Sequence, residues 1–192
     1  MMKLLASMTL LVSFLSFIGG APVGGSVQSL TLRSIDGLPV RPLEMGAHKG
    51  VLLFFIAHDC PICNTYAPEI NRICREYTPR GIAPYIVYIE PDLTPAAART
   101  HARAYGYTCA AILDPAHRLV RKADATVTPE AALFGRDGKL CYRGRIDDLF
   151  VSLGQQRYAV RRHDLRLALD AFLQHQTITE PFTTAIGCFI PH

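Results

Sequence analysis

The sequence predicts an α/β fold: a mixed central sheet, led by a β-hairpin and covered by helices on both faces. Two observations carry this. Strand-length apolar runs alternate with helical patterns from Val51 to Ala123, an order that requires right-handed crossovers and a parallel sheet core. A strand–turn–strand pattern then runs from Thr126 to Arg145 and supplies antiparallel partners.

Each element has its own signal. Ser29 to Ile35 alternates in polarity, Asp36-Gly37 is a turn pair and Leu38 to Leu43 follows, so the stretch from Val27 to Val40 reads as a hairpin. Val51 to Ile56 is an unbroken apolar run between Gly50 and His58, as in a strand buried on both faces. From Asn64 to Tyr77, apolar side chains recur at helical spacing (Tyr66, Ile70, Ile73, Cys74, Tyr77). Pro68 falls inside this stretch and should kink the helix or mark its true start. Pro84 to Ile89 reads as the next strand. Thr94-Pro95 opens a helix to Tyr105, with Thr94 as cap and Pro95 in the first position. Ala110 to Leu113 is a short strand, and Asp114-Pro115 caps a helix over Ala116 to Ala123. A hairpin over Thr126–Phe134 and Leu140–Arg145 turns at Arg136-Asp137-Gly138-Lys139. A last amphipathic helix runs from Asp164 to Gln174, and the tail from Thr177 to His192 has no clear period.

Composition narrows the class. At 192 residues, 49% hydrophobic and 19% charged, the chain is long and apolar enough for one domain with a real core, which excludes a disordered protein. A net charge of +4 is mildly basic. Arg157, Arg161, Arg162 and Arg166 cluster, but Asp164 and Asp170 interrupt them, so they read as a solvated face and not as a nucleic-acid patch. His101, His117 and His163 have no ligand spacing.

The N-terminus reads as a targeting segment over residues 1–22. Lys3 is the positive end, Leu4 to Ile18 the apolar stretch, and Gly19-Gly20-Ala21 the small residues. The stretch is short for a bilayer span of about 20 residues, which favours a cleaved signal over an uncleaved anchor. The expected location is periplasmic or extracellular, an oxidising setting, and the 6 cysteines fit it.

The chemistry concentrates at Cys60-Pro61-Ile62-Cys63, between the buried strand and the helix. A helix start favours negative charge, and it can pull a cysteine pKa from about 8.5 to roughly 3.5–7.5. Pro61 suits the first helical position, where its missing N–H was unpaired anyway. Cys63 lies on the same helix face as Cys60 and can attack a mixed disulfide formed there. The alternatives are two structural cysteines or a metal site. His58, two residues before Cys60, would stabilise the thiolate if protonated, and is otherwise an exposed loop residue. Cys188 lies in a tail able to fold back over the site as a resolving thiol. The readings weighed against that are a structural disulfide with Cys109 or Cys141, or a buried free thiol. Cys74 reads as core, and Cys141 as a strand residue. Arg143, Arg145, Asp147 and Asp148 read as an ion-pair group closing the hairpin, in preference to a partner-binding surface.

With these residues in hand, the chain resembles the thioredoxin-like fold, and within it the exported, peroxiredoxin-like redoxin branch related to alkyl hydroperoxide reductase and thiol-specific antioxidant (AhpC/TSA) proteins. Three motifs carry the resemblance: Cys60-Pro61-Ile62-Cys63 after a buried strand, Thr126-Val127-Thr128-Pro129 before the strand Glu130 to Phe134, and Phe134 to Asp148 as the final hairpin. The resemblance implies a three-layer α/β/α sandwich over residues 27–175, with residues 176–192 as a tail. It also implies a cis bond before Pro129 facing the cysteines, with Thr128 turned out to pair with an extended target. Pro61, Thr128 and Pro129 then face the substrate. Two departures stand out. Peroxiredoxins carry Pro-x-x-x-Thr/Ser-x-x-Cys, and here those positions are Leu53 and Ala57. Thioredoxin has a tryptophan before its cysteines and Gly-Pro between them, and this chain has no tryptophan.

The expected function is exported thiol–disulfide oxidoreduction. Cys60 attacks, Cys63 resolves, protein thiols or disulfides are the partners, and electrons come from a partner thiol. No organic cofactor, metal or nucleic acid is implied. The competing expectations are a thiol peroxidase and a Cu(I) carrier built on Cys60, Cys63 and a histidine.

Overall fold

The computed structural model describes residues 30–191. The proposed targeting segment and the first residues of the expected hairpin lie outside them. Among the described residues no helix is long and apolar enough to cross a membrane.

In chain order the elements are β1 Leu32–Ser34, β2 Pro39–Val40, β3 Gly50–Ile56, α1 Pro61–Tyr77, β4 Ile82–Tyr88, α2 Pro95–Ala104, β5 Ala110–Leu113, α3 Arg118–Ala123, β6 Val127–Thr128, β7 Glu130–Gly135, β8 Leu140–Gly144, β9 Phe150–Ser152, β10 Gln155–Gln156, α4 Asp164–Leu173 and β11 Cys188–Phe189. Seven strands form one sheet in the order β2-β1-β5-β4-β3-β7-β8. β3, β4 and β5 are parallel, whereas β1 runs antiparallel to β5, and β7 antiparallel to both β3 and β8. This is the mixed sheet expected.

β3 is the centre of the core. Val51 to Ile56 are all 0% exposed, as an apolar run covered on both faces should be. Its alternate side chains feed two clusters. Leu52, Phe54 and Ile56 meet Ile62, Tyr66, Ile70 and Ile73 of α1 and Leu165 and Leu169 of α4. Val51, Leu53 and Phe55 meet Leu119, Val120 and Ala123 of α3. The result is three layers, with each large aliphatic chain contributing about 1.5–3 kcal/mol on burial. Pro84 is tolerated inside β4 because pairing with β5 begins only at Tyr85, so the missing N–H falls where the strand still has an open side.

Several boundaries differ from the sequence reading. α1 begins at Pro61 and runs through Pro68 to Tyr77 without ending there. α3 begins at Arg118, because the Asp114 carboxylate accepts the N–H groups of Arg118, Leu119 and Val120 at 2.7, 2.8 and 3.1 Å and so caps a later start. Thr94 caps α2 as expected, accepting from the Ala97 N–H at 3.2 Å. The hairpin β9–β10 and the tail strand β11 were not anticipated.

Cys74 is buried as expected but is also bonded: it forms a disulfide with Cys109, Cα to Cα 6.2 Å, tying α1 to the segment before β5. This removes Cys109 as a partner for Cys188. The expected ion-pair group is also rearranged. Arg145 Nε pairs with Asp164 at 2.7 Å, Arg143 with Asp124 at 3.2 Å and Arg157 with Asp148 at 3.2 Å. Asp147 accepts from the Tyr66 hydroxyl at 2.7 Å. These residues brace the hairpin against α3, α1 and α4, not against one another.

Candidate active site

Cys60 is the cap residue of α1, in extended backbone at φ −79° and ψ 113°, with Pro61 in the first turn. The chain leaves β3, turns through His58 and Asp59 and enters the helix at the sulfur. Cys60 is 2% exposed and Cys63 0%. The Cys60 thiol is pulled down from 9.0 to about 5. The Cys63 thiol donating to it is the largest cause. Burial opposes, and Cys188 together with the backbone N–H groups of Cys63 and Ile62 assist. Cys63 is pushed well above its ordinary value by burial, by its hydrogen bond to Cys60 and by the Cys60 charge. The pair is therefore one thiolate in front and one thiol behind. This division follows from the helix start and from depth.

The peptide bond between Thr128 and Pro129 is cis. The Thr128 carbonyl oxygen is 3.4 Å from Cys60 Sγ. Glu130 holds this loop: its Oε2 accepts the Thr126 N–H at 2.7 Å and the Val127 N–H at 3.4 Å. Burial raises the Glu130 carboxyl, and these N–H groups and Arg143 partly offset that. Sequence reasoning overlooked Glu130, although a glutamate opening a buried strand straight after Thr-Pro was a readable signal.

The largest surprise is the tail. β11 pairs antiparallel with β6, Cys188 opposite Thr128 and Phe189 opposite Val127. Cys188 Sγ lies 2.8 Å from Cys60 Sγ. The expected pairing of Cys188 with Cys109 or Cys141, or its burial as a free thiol, is overturned: Cys188 is free and exposed, and it stands at the site. Burial and the Cys60 charge raise it to about 11. Cys141 is also free, in β8, and burial raises its thiol.

His58 faces Glu90 and is not among the groups that lower the Cys60 thiol. Its Nδ1 lies 2.7 Å from Glu90 Oε1, and its backbone N–H donates to the same oxygen. Behind it, Asn64 donates to the His58 carbonyl at 3.3 Å and meets His101 Nε2 through Oδ1 at 2.9 Å. His101 Nδ1 lies 2.8 Å from the Tyr88 hydroxyl. A neutral His101, donating from Nε2 and accepting at Nδ1, satisfies both partners, and burial lowers its pKa in agreement. The loop before Cys60 is thus held from behind. Among the described residues, the one group of three or more metal-type ligands within 4.8 Å of each other is His58, Asp59 and Glu90. It includes neither cysteine.

An open groove of about 420 Å³ lies beside the sulfurs, lined by Pro61, Ile62, Thr65, Phe150, Gln156 and Cys188 among others. β9 and β10 form its far wall.

A dithiol at a helix start, facing a cis-proline loop on a mixed sheet, defines a thioredoxin-like redoxin. The sequence model of the AhpC/TSA family matches residues 23–143, and the chain belongs to that family. Among solved structures it is similar to a hypothetical protein from Sinorhizobium meliloti 1021, 25% identical with a TM-score of 0.73, covering 84% of this chain and 89% of that one. It is equally similar to an uncharacterized conserved protein from Geobacillus kaustophilus, 26% identical with a TM-score of 0.73, covering 86% and 90%. A putative thiol:disulfide interchange protein DsbE from Chlorobium tepidum shares the fold at 18% identity and a TM-score of 0.57, covering 75% and 92%. No curated protein matches the sequence.

Proposed function

We propose that the protein is an exported thiol–disulfide oxidoreductase acting on protein disulfides through Cys60 and Cys63. One observation carries the reading: Cys60 caps the start of α1 with its sulfur 3.4 Å from the Thr128 carbonyl before the cis Pro129, a place where its thiol is drawn down to about 5 while Cys63, behind it, is held protonated. Cys60 is then ionised at neutral pH and attacks a sulfur of the target disulfide. One target sulfur leaves as a thiolate, and the other is bonded to Cys60. That bond removes the Cys60 charge, and with it two of the causes that hold Cys63 protonated. Cys63 loses its proton, attacks Cys60 and releases the target as a dithiol. Two partner thiols then reduce the Cys60–Cys63 disulfide and leave as a disulfide. Pro61, Thr128 and Pro129 face the target, which takes an extended form along β6 and the groove beside it.

Residues 1–22 serve as the export signal, residues 27–175 as the redoxin domain and residues 176–192 as its tail. The Cys74–Cys109 disulfide supports export, since such bonds persist in oxidising compartments.

Turbidimetric insulin reduction tests the assignment. Cys60→Ser is expected to abolish it while leaving the circular dichroism spectrum unchanged. Full activity in that variant overturns the reading. The family also includes peroxidases, but Ala57 offers no hydroxyl to orient a peroxide. Copper carriage has less support: among the described residues no histidine groups with both cysteines within 4.8 Å.

A further inference from the structure

We propose that Cys188 is a third redox cysteine: the disulfide passes from Cys60–Cys63 to Cys60–Cys188, and the tail strand carrying Cys188 holds the place of a target strand between turnovers. The proposal rests on the exchange chemistry of Cys60 and Cys63 argued above.

The tail is built in at both ends. Upstream, the Thr183 N–H donates to the Arg143 carbonyl at 3.0 Å, and the Arg143 N–H donates to that of Pro181 at 2.9 Å. Thr183 Oγ1 lies 2.8 Å from the Tyr142 hydroxyl and accepts the Arg145 N–H at 3.1 Å. Downstream, the Ile190 N–H donates to the Thr126 carbonyl at 3.0 Å, and the Ile190 side chain is buried against the α3 side of the sheet. Cys188 lies between these two anchors, opposite Thr128.

The close approach depends on Gly187. A Cβ there would collide with the Thr128 carbonyl, so a side chain at this position would lift the strand off the loop. β11 thus uses the backbone face that an extended target would need, and it delivers a sulfur to 2.8 Å from Cys60 Sγ. With it in place Cys60 is 2% exposed, while Cys188 is open to solvent.

The exchange balances without an added oxidant. Cys188 loses its proton and attacks Cys60 Sγ of the Cys60–Cys63 disulfide. The Cys60–Cys188 bond forms, the Cys60–Cys63 bond breaks, and Cys63 leaves and takes up a proton. The two sulfurs reach Cys60 from different elements: Cys63 from within α1, and Cys188 from β11 on the β6 side, at 2.8 Å. The oxidising equivalent moves from a buried bond to one with an exposed sulfur, which an external thiol can reach. The reverse step, Cys63 attacking Cys60, frees the tail.

The test uses reduced full-length protein treated with oxidised glutathione, blocked with N-ethylmaleimide, digested and mapped by mass spectrometry without reduction. Wild type is expected to give both Cys60–Cys63 and Cys60–Cys188 linked peptides. Cys63→Ser is expected to give Cys60–Cys188 within one chain. Cys63→Ser that stops at a glutathione adduct of Cys60, or that links only between chains, overturns the proposal. Gly187→Val keeps every sulfur and is expected to lose the Cys60–Cys188 peptide and to speed alkylation of Cys60. An unchanged link and rate in that variant also overturn it. Insulin reduction that depends on Cys60, with no Cys60–Cys188 link, sinks this proposal alone. Insulin reduction that survives Cys60→Ser sinks the underlying assignment.

Discussion

His58 Nδ1 and Glu90 Oε1 lie 2.7 Å apart, so the histidine nearest the sulfurs in sequence is committed to a carboxylate and not to Cys60. The lowered Cys60 thiol owes its state to Cys63, Cys188 and the first N–H groups of α1. His58→Ala is therefore expected to leave the Cys60 titration midpoint near 5, read from thiolate absorbance against pH. A rise of about one unit or more, worth about 1.4 kcal/mol, would return His58 to the thiolate's support.

The same titration ranks the two neighbouring sulfurs. Cys63 is the largest cause lowering Cys60, and Cys188 comes after it. Cys63→Ala is expected to raise the midpoint more than Cys188→Ala does. In wild type the thiolate fraction is lost as pH falls through about 5 and is nearly constant from neutral pH upward. The opposite ranking would mean that the tail, not the helix pair, sets the reactivity of Cys60.

Glu130 holds the loop that faces the cysteines through two backbone N–H groups. Glu130→Ala leaves the buried Val127 N–H and the partly buried Thr126 N–H without this acceptor and is expected to cost about 1–3 kcal/mol in urea unfolding. It should also slow insulin reduction, because Thr128 is no longer held against Cys60. Glu130→Gln keeps one acceptor oxygen and should recover part of both losses. If Glu130→Ala matches wild type in stability and rate, the loop is held by its other contacts.

Most of this architecture was legible because it rests on periodicity. The apolar run of β3, the capped start of α2 and the turn at Gly138 each announce an element from local residues alone. The dithiol was legible for the same reason, since its chemistry depends on a strand ending and a helix beginning at Cys60. The tail was not. β11 is two residues long, and its partner β6 is equally short and 60 residues away in sequence (188 − 128 = 60). No period arises from such a pair, and a lone Gly187-Cys188 gives no register. Glu90 was hidden for a similar reason: it is 32 residues from His58 in sequence and meets it only because β3 and β4 are parallel neighbours. Cys74 gave a half-signal. Its place on the apolar face of α1 was readable, but its bond to Cys109 needed the packing of α1 beside the approach to β5.

His101 carries the clearest pH signature of stability. Burial lowers its folded pKa below 6.5, so folding disfavours the imidazolium. The sign follows directly. Above the unfolded value both states are neutral and the Asn64 and Tyr88 contacts contribute fully, whereas below it the unfolded chain binds a proton that the folded chain resists. The contribution is lost as pH falls from 6.5 through the lowered folded value. Urea midpoints of wild type and His101→Gln are expected to differ most at neutral pH and to converge as pH falls below 6.5. A gap that widens on acidification would mean that His101 is charged in the folded protein, with the Tyr88 hydroxyl accepting from Nδ1 instead of donating to it.

The Cys74–Cys109 bond separates stability from chemistry. It closes a segment of 35 residues and lies outside the groups that set Cys60. Replacing both cysteines by alanine is expected to lower unfolding stability by about 2–4 kcal/mol, the usual range for a native disulfide. Insulin reduction per folded molecule should stay unchanged. The same double variant also leaves Cys60, Cys63, Cys141 and Cys188 as the remaining thiols, which simplifies mapping of the exchange at the site. A loss of activity larger than the loss of folded protein would show that the bond at the far end of α1 helps to hold the helix start where Cys60 sits.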